Sequence, residues 1–141
     1  MATGQASRKI EIWHVAHPVT DLDRSVAFYC DHLGFDLVGR DAYPTMRQAF
    51  VALGQRGFTI ELFVPLGEEA DKPRRAPDHL AFEAIDLVAY REGVIAAGLP
   101  VPPIEVFEGG MKHFALEDPD GLRLDFFQGR DGYESFISGN R

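Results

Sequence analysis

An internal repeat constrains this sequence more than any other feature, because residues 10–63 match residues 75–127 in the spacing of their distinctive side chains. The matched positions, at offsets of 64 or 65 residues, are His14 with His79, Asp21 with Asp86, Gly34 with Gly98, Phe50 with Phe114, Gly57 with Gly121 and Glu61 with Asp125. Self-similarity at a fixed period predicts structurally equivalent units. We therefore expect a duplicated chain, with a histidine near the start and an acid near the end of each half.

The first half has the pattern of one strand, one helix and three further strands. Its apolar, β-branched run 10–19 predicts a strand, and Asp21 can cap a helix that follows it. Apolar residues then recur every three or four positions up to Gly34, a residue suited to a helix end; they are Leu22, Val26, Tyr29 and Leu33. The segments predicted as strands after this helix are 36–43, 47–54 and 58–64.

The second half repeats this order. Its predicted elements are a strand at 78–84, a helix at 87–97 and strands near 100–107, 111–117 and 122–128; the predicted hairpin turns are at 53–57 and 118–121. The fold class is therefore α+β, built from paired βαβββ modules. We expect a single domain over 1–141, divided into module one at about 8–65, a polar linker at 66–77, module two at about 78–128 and a tail or short edge cover at 129–141.

Side-chain alternation places one acid of each half on the face opposite the apolar core. Glu61 lies between Ile60 and Leu62, which share the other face of their strand, and Asp125 has the same position in the second half. The repeated histidines lie in the first strand of each half. Two imidazoles and two carboxylates suit zinc, nickel, cobalt, iron or manganese. The predicted ligands of this one divalent metal are His14, Glu61, His79 and Asp125.

A strand histidine is more often a core or surface residue than a ligand, and a strand acid usually faces water. The metal is favoured here because the same chemistry occurs twice at equivalent positions. His17 and His32 have no counterpart in the other half and are interpreted as structural or exposed. His113 also has none, but it precedes a strand residue and could line the pocket. Cys30 lies on the predicted helix and is interpreted as a packing residue.

Composition excludes several classes of protein. The 141 residues carry a net charge of −8 without a large basic cluster, which argues against nucleic acid and anionic membranes as partners. The single cysteine rules out a disulfide within one chain. No apolar run reaches the roughly 20 residues that span a bilayer, and the start lacks the apolar core of a signal peptide. We therefore expect a cytoplasmic protein.

Several segments resemble the vicinal oxygen chelate superfamily, which includes glyoxalase I, bleomycin resistance proteins and extradiol dioxygenases. HVAHPVTDLDRSVAFYCDHLGF resembles its opening, DHLAFEAIDL its second-half restart, and IELF and LEDPDGLRLDFFQ its closing strands. The resemblance covers about residues 10–128 and implies a cupped, mostly antiparallel eight-stranded sheet around a metal. It carries the family's ligands over to His14, Glu61, His79 and Asp125, although glyoxalase I usually has Glu at the last position.

The ligand set is most similar to that of glyoxalase I-type members. The resemblance therefore implies a metal-dependent lyase or isomerase that acts through a metal-bound enediolate on a small hydroxy-carbonyl substrate. Glu61 is the first candidate for the catalytic base and Asp125 the second. Glyoxalase I typically has two residues that help to hold glutathione where this chain has Pro18 and Pro65. These departures argue against a glutathione thiohemiacetal as substrate.

The predicted substrate pocket extends beyond the acids. Phe63 and Phe127 share the faces of the acids and would exclude water, and Arg47 would bind an anionic group or else lie on the surface. A homodimer is expected, with each site completed within one chain or across the dimer. Two alternatives stay open: a metal-dependent dioxygenase of the same superfamily, and a non-enzymatic protein that sequesters a ligand or antibiotic.

Overall fold

A computed structural model of the chain describes residues 9–54, 57–117, 119 and 121–140. The elements of the first half are β1 (Ile10–Pro18), α1 (Leu22–Ala27), β2 (Asp36–Tyr43), β3 (Met46–Ala52) and β4 (Thr59–Pro65). Those that follow are β5 (His79–Ala84), α2 (Leu87–Ala96), β6 (Glu105–Val106), β7 (Lys112–Glu117), β8 (Arg123–Gln128) and α3 (Arg130–Ser138). Two successive βαβββ runs confirm the predicted α+β class.

Strand β1 has a central place in the strand order, which is β2-β3-β4-β1-β5-β8-β7-β6. The chain divides into two compact units, and the division falls within this strand. One unit contains the chain up to Trp13 together with Leu80–Tyr133, and the other contains His14–His79 together with the chain from Glu134 onward. The single-domain organisation of the chain stays a prediction.

The unit that contains His14–His79 has its apolar core between α1 and one face of its strands. β1 pairs with β4 in parallel, whereas β2, β3 and β4 pair antiparallel. The buried core residues are Val26, Phe35, Ala49, Val51 and Leu62, with Ile60 packed against them. Because Ile60 and Leu62 both lie in this core, the alternation predicted for β4 is confirmed, and Glu61 lies on the opposite face.

Helix α1 begins where the sequence predicts. The Asp21 side chain accepts a hydrogen bond from the backbone N–H of Arg24 at 3.0 Å, which satisfies one of the free amides at the helix start. After Ala27 the chain continues as a wider π-helical turn, Phe28–His32. This helical segment is followed by Gly34, whose φ is 79°. Glycine adopts this left-handed conformation with less steric strain than any other residue.

The unit that contains Leu80–Tyr133 has its core beneath α2. Ala84, Leu87, Phe114 and Phe126 are buried there, with Leu124 packed against them. Leu124 and Phe126 thus share the core face of β8, and Asp125 lies on the other face, as predicted. β7 pairs antiparallel with β6 and with β8.

Strand β6 is shorter than predicted, because only Glu105 and Val106 of the segment 100–107 form a strand. Pro102 and Pro103 lack the backbone N–H that a ladder requires, which explains the late start of this strand. The predicted turns 53–57 and 118–121 include residues 55, 56, 118 and 120, so they lie partly outside the described residues. No helix in the described ranges is both long and apolar enough to span a bilayer.

The segment 129–141, predicted as a tail or short edge cover, contains helix α3. Its buried residues include Tyr133 and Ile137, which are four positions apart and therefore share a helix face. Tyr133 contacts the Trp13 ring edge-on at 6.2 Å between centroids. Tyr133, Phe136 and Ile137 have the three- and four-residue spacing of one helix face, but this stretch is short and the segment otherwise has little apolar content.

Candidate metal centre

Three side chains from three strands bring one donor atom each to the corners of a triangle. Nε2 of His14 lies 3.3 Å from Oε1 of Glu61, and Nε2 of His79 lies 3.3 Å from the same oxygen. The two Nε2 atoms are also 3.3 Å apart. His14 and Glu61 are buried and His79 is half-buried. Within the described residues, this is the group of histidine, cysteine and acidic side chains that has the spacing of metal ligands.

The strand register explains why these three residues meet. Glu61 on β4 is opposite Ala16 of β1 and Phe50 of β3. His14 lies two residues before Ala16, on the same face of β1, and its ring contacts Phe50 edge-on at 5.2 Å. The N–H of Asp78 donates to the carbonyl of Ala16 at 2.9 Å, which places the start of β5 beside β1. Three neighbouring strands therefore position the triangle.

The spacing of the donors fits a divalent cation. Ligands about 2.0–2.1 Å from a tetrahedral metal are about 3.3–3.4 Å from one another, whereas cis ligands of an octahedral metal at that distance are about 2.9 Å apart. The three 3.3 Å sides are short enough for one cation to contact all three donors. Two imidazole nitrogens and one carboxylate oxygen are ligands for zinc, nickel, cobalt, iron or manganese. The residues present thus fit the predicted metal.

The electrostatics of the triangle hold Glu61 in its ionised form. Burial by itself raises the pKa of this carboxyl, but hydrogen bonds and positive charge from His14 and His79 outweigh burial and lower the pKa to about 2. The carboxylate is therefore an anionic donor throughout the physiological pH range, which is the state that a cation binds.

Asp125 belongs to the other unit and has partners of its own there. Its Oδ1 accepts a hydrogen bond from Nε of Arg123 at 2.7 Å and lies 3.1 Å from Nε2 of His113. Asp125 and His113 are buried. Asp125 and His113 are separate candidates in the sequence, one as a metal ligand and one as a pocket residue. Their contact follows from the antiparallel pairing of β7 with β8. The role of Asp125 as a fourth ligand or second base stays a prediction.

The two predicted phenylalanines are both buried side chains. Phe63 lies beneath the guanidinium of Arg74, whose Cζ is 5.3 Å from the ring centroid. Phe127 packs edge-on against Trp13 at 4.9 Å and at a tilt against His113 at 4.7 Å between centroids. These contacts give each ring a fixed position, and their part in a substrate pocket stays a prediction.

The described cavities lie beside other predicted residues. Arg47 is exposed and lines a cavity of about 630 Å³ together with Arg40, Asp41 and Gln48. His113 lines a cavity of about 310 Å³ together with Glu105 and Arg123. Neither lining includes a residue of the triangle. Substrate binding by Arg47 and by His113 stays a prediction.

Sequence reasoning missed Asp78, which directly precedes His79. Its Oδ2 lies 2.8 Å from Nδ1 of that ring, on the side away from the triangle. The pKa of Asp78 is lowered, because hydrogen bonds and charge from His79 and Arg74 outweigh the burial that would raise it. An acid immediately before a candidate ligand was the available signal, but the residues around it were interpreted only as a linker.

Comparisons with known proteins bear on this site. A family model described as the Glyoxalase/Bleomycin resistance protein/Dioxygenase superfamily matches residues 11–126. Lactoylglutathione lyase of Haemophilus influenzae is 32% identical over 130 residues, which cover 86% of this chain and 94% of that protein. The uncharacterized protein YaeR of Escherichia coli is 34% identical over 125 residues, covering 84% of this chain and 95% of that one.

Solved structures are similar over the same region. The crystal structure of methylmalonyl-CoA epimerase from Mycobacterium tuberculosis superimposes with a TM-score of 0.68 at 26% identity, covering 83% of this chain and 86% of that one. The similarity therefore extends through both βαβββ modules.

Proposed function

Because the chain belongs to the Glyoxalase/Bleomycin resistance protein/Dioxygenase superfamily, as its resemblance to the vicinal oxygen chelate proteins predicts, we propose that it is a divalent-metal-dependent lyase or isomerase. Its substrate is a small hydroxy-carbonyl compound, within which a proton moves from one carbon to the next. The triangle formed by His14, Glu61 and His79 carries this proposal. Relatives named as a lyase and an epimerase support the reaction class.

The residues of the triangle have separate tasks in this reaction. When bound, a divalent cation supplies Lewis acidity, which makes a proton on the carbon beside a carbonyl easier to remove. Glu61 accepts that proton on a carboxylate oxygen and returns it to the neighbouring carbon. Its lowered pKa keeps the carboxylate ionised before the proton is transferred. Asp125 is the second candidate for this transfer.

The substrate proposed is not a glutathione adduct. Pro18 ends β1 and Pro65 ends β4, so the chain has no side-chain hydrogen-bond donor at either position. These are the positions where glyoxalase I typically has glutathione-holding residues. A hydroxy-carbonyl compound without the tripeptide is the substrate class that these positions favour.

A dioxygenase of the same superfamily is the second candidate. Two histidines and one carboxylate are also the donor set of non-haem iron oxygenases. The relatives named as a lyase and an epimerase favour the lyase or isomerase. Oxygen consumption by the iron-loaded protein with a catechol would support the dioxygenase. A ligand-sequestering protein has no need of the three converging donors, so the triangle argues against it.

Metal analysis of the purified protein tests the proposal most directly. We expect about one divalent ion per chain in the wild type and much less than one in His79→Ala. Loss of the ion should accompany loss of proton exchange between substrate and deuterated water. A wild type that binds no divalent ion after exposure to zinc, nickel, cobalt, iron and manganese would refute the proposed function.

The homodimer and the cytoplasmic location are further parts of this proposal. The net charge of −8 supports neither a nucleic-acid nor an anionic-membrane partner. Light scattering on the metal-loaded protein should give twice the mass of one chain.

A further inference from the structure

The His79 ring has polar partners at both nitrogens, and only one of them belongs to the triangle. Nε2 lies 3.3 Å from Glu61, whereas Nδ1 lies 2.8 Å from the Oδ2 atom of Asp78. A ring nitrogen that faces a carboxylate at this distance carries the hydrogen and donates it. When a metal is bound the ring is neutral, so the other nitrogen, Nε2, carries a lone pair instead of a hydrogen, and that lone pair is directed at the triangle.

The Asp78 carboxylate is itself held in place. Its second oxygen, Oδ1, accepts a hydrogen bond from Nη1 of Arg74 at 3.1 Å, and the Asp78 side chain is only 16% exposed. Arg74 also donates from Nη2 to Glu69 at 2.7 Å and lies over the Phe63 ring. Both Asp78 oxygens therefore have a donor, so neither the carboxylate nor the imidazole can rotate without losing a hydrogen bond.

We infer that Asp78 is a positioning residue that fixes the tautomer and ring orientation of His79 for metal binding, with Arg74 holding Asp78 in turn. This inference rests on the proposed metal site. The residues between β4 and β5 thereby contribute to metal affinity, although none of them is a member of the triangle. Removal of such an outer carboxylate typically weakens metal binding about 10–100-fold.

Zinc affinity measured against a chromogenic chelator tests this role. We expect Asp78→Asn and Asp78→Ala to bind Zn²⁺ about 10–100-fold more weakly than the wild type. Asp71→Asn is the matched control, because it removes an exposed acid from the same segment, and its affinity should stay within about twofold of the wild type. The neutral isostere Asp78→Asn carries the test if Asp78→Ala does not fold.

A second readout separates positioning from a general structural effect. At a pH where the ring is neutral, nitrogen-15 spectra of the metal-free protein should show His79 with its hydrogen on Nδ1 in the wild type and in Asp71→Asn, and a mixture of tautomers in Asp78→Ala. Wild-type zinc affinity and an unchanged tautomer in both Asp78 variants would overturn the inference and leave the proposed function intact. A wild type that binds none of zinc, nickel, cobalt, iron and manganese would overturn both.

Discussion

Arg123 and Asp125 lie two positions apart on β8, and Nε of the arginine donates to Oδ1 of the carboxylate at 2.7 Å. The side chain of Asp125 is only 4% exposed, whereas that of Arg123 is 54% exposed. His113 supplies the buried partner of the same oxygen, with a 6% exposed side chain. The Asp125 carboxylate is therefore almost fully enclosed by protein, whereas more than half of the Arg123 side chain is accessible to solvent.

Asp125→Ala is expected to lower the free energy of unfolding by about 1–3 kcal/mol, because it leaves the buried His113 ring without its carboxylate. Arg123→Gln removes only the exposed partner and should cost at most about 1 kcal/mol. Urea denaturation of both variants measures the difference. Equal losses in the two variants would contradict the assignment of His113 as the dominant partner.

Asp125→Ala is also expected to retain bound zinc, whereas His79→Ala should lose it. The reason is that His14, Glu61 and His79 converge without a contribution from Asp125. Elemental analysis after gel filtration checks the metal content of each. If the two variants lose the metal equally, Asp125 contributes as much to zinc binding as His79. The explanation of zinc affinity by three donors alone would then be wrong.

Glu61→Gln is expected to lower kcat about 10²–10⁴-fold, since a neutral amide cannot accept the substrate proton. Glu68→Gln, an exposed acid on the segment after β4, should leave kcat unchanged. Turnover is measured on metal-saturated protein, so that weaker metal binding by Glu61→Gln does not account for the loss. An unaltered kcat would rule out Glu61 as the base.

Cys30 is expected to react with iodoacetamide only at a higher pH than a free thiol. Burial raises the pKa of this thiol, and the negative charges of Asp31 and Asp36 raise it further, against a smaller opposing effect of Arg40. The thiolate is the reactive form, so the alkylation rate should rise with pH. The pH at which the rate reaches half its maximum should be higher for Cys30 than for free cysteine. Asp36→Asn should move this midpoint to lower pH, and a shift upward would contradict the electrostatic cause.

Gly39→Ala is expected to destabilise the protein by about 1–3 kcal/mol, because its Cβ would lie 2.5 Å from the carbonyl oxygen of Ile137. Gly132→Ala is the control within α3, where a Cβ would meet nothing closer than 3.8 Å. Gly132 is the third residue of α3, where alanine is favoured over glycine by at most about 1 kcal/mol, so this control should stabilise slightly. Thermal unfolding should therefore move in opposite directions in the two variants.

The sequence contains enough information for most of the fold and for the core of the candidate site. Strand alternation alone separates Glu61 from Ile60 and Leu62, since a carboxylate cannot share the apolar core without a partner. The repeat then relates His14 to His79. Both inferences depend on local pattern and duplication, which are readable before any tertiary contact is known.

Other features depend on contacts that no local pattern encodes. Asp78 could be linked to His79 only once the two side chains were seen to face each other, because adjacent residues in a strand ordinarily point to opposite faces. Helix α3 has only a short amphipathic stretch, so long-range contacts also contribute to its stability. One of these is the packing of Tyr133 on Trp13.

The division of the chain within β1 has a consequence for the duplication itself. Trp13 contacts Phe127 and belongs to the unit built mainly from the second repeat, whereas the next residue, His14, belongs to the unit built mainly from the first. A fragment cut between the repeats would leave the second one without its tryptophan. We therefore expect a fragment that contains only the second repeat to lack part of its own core and to be less stable than the whole chain.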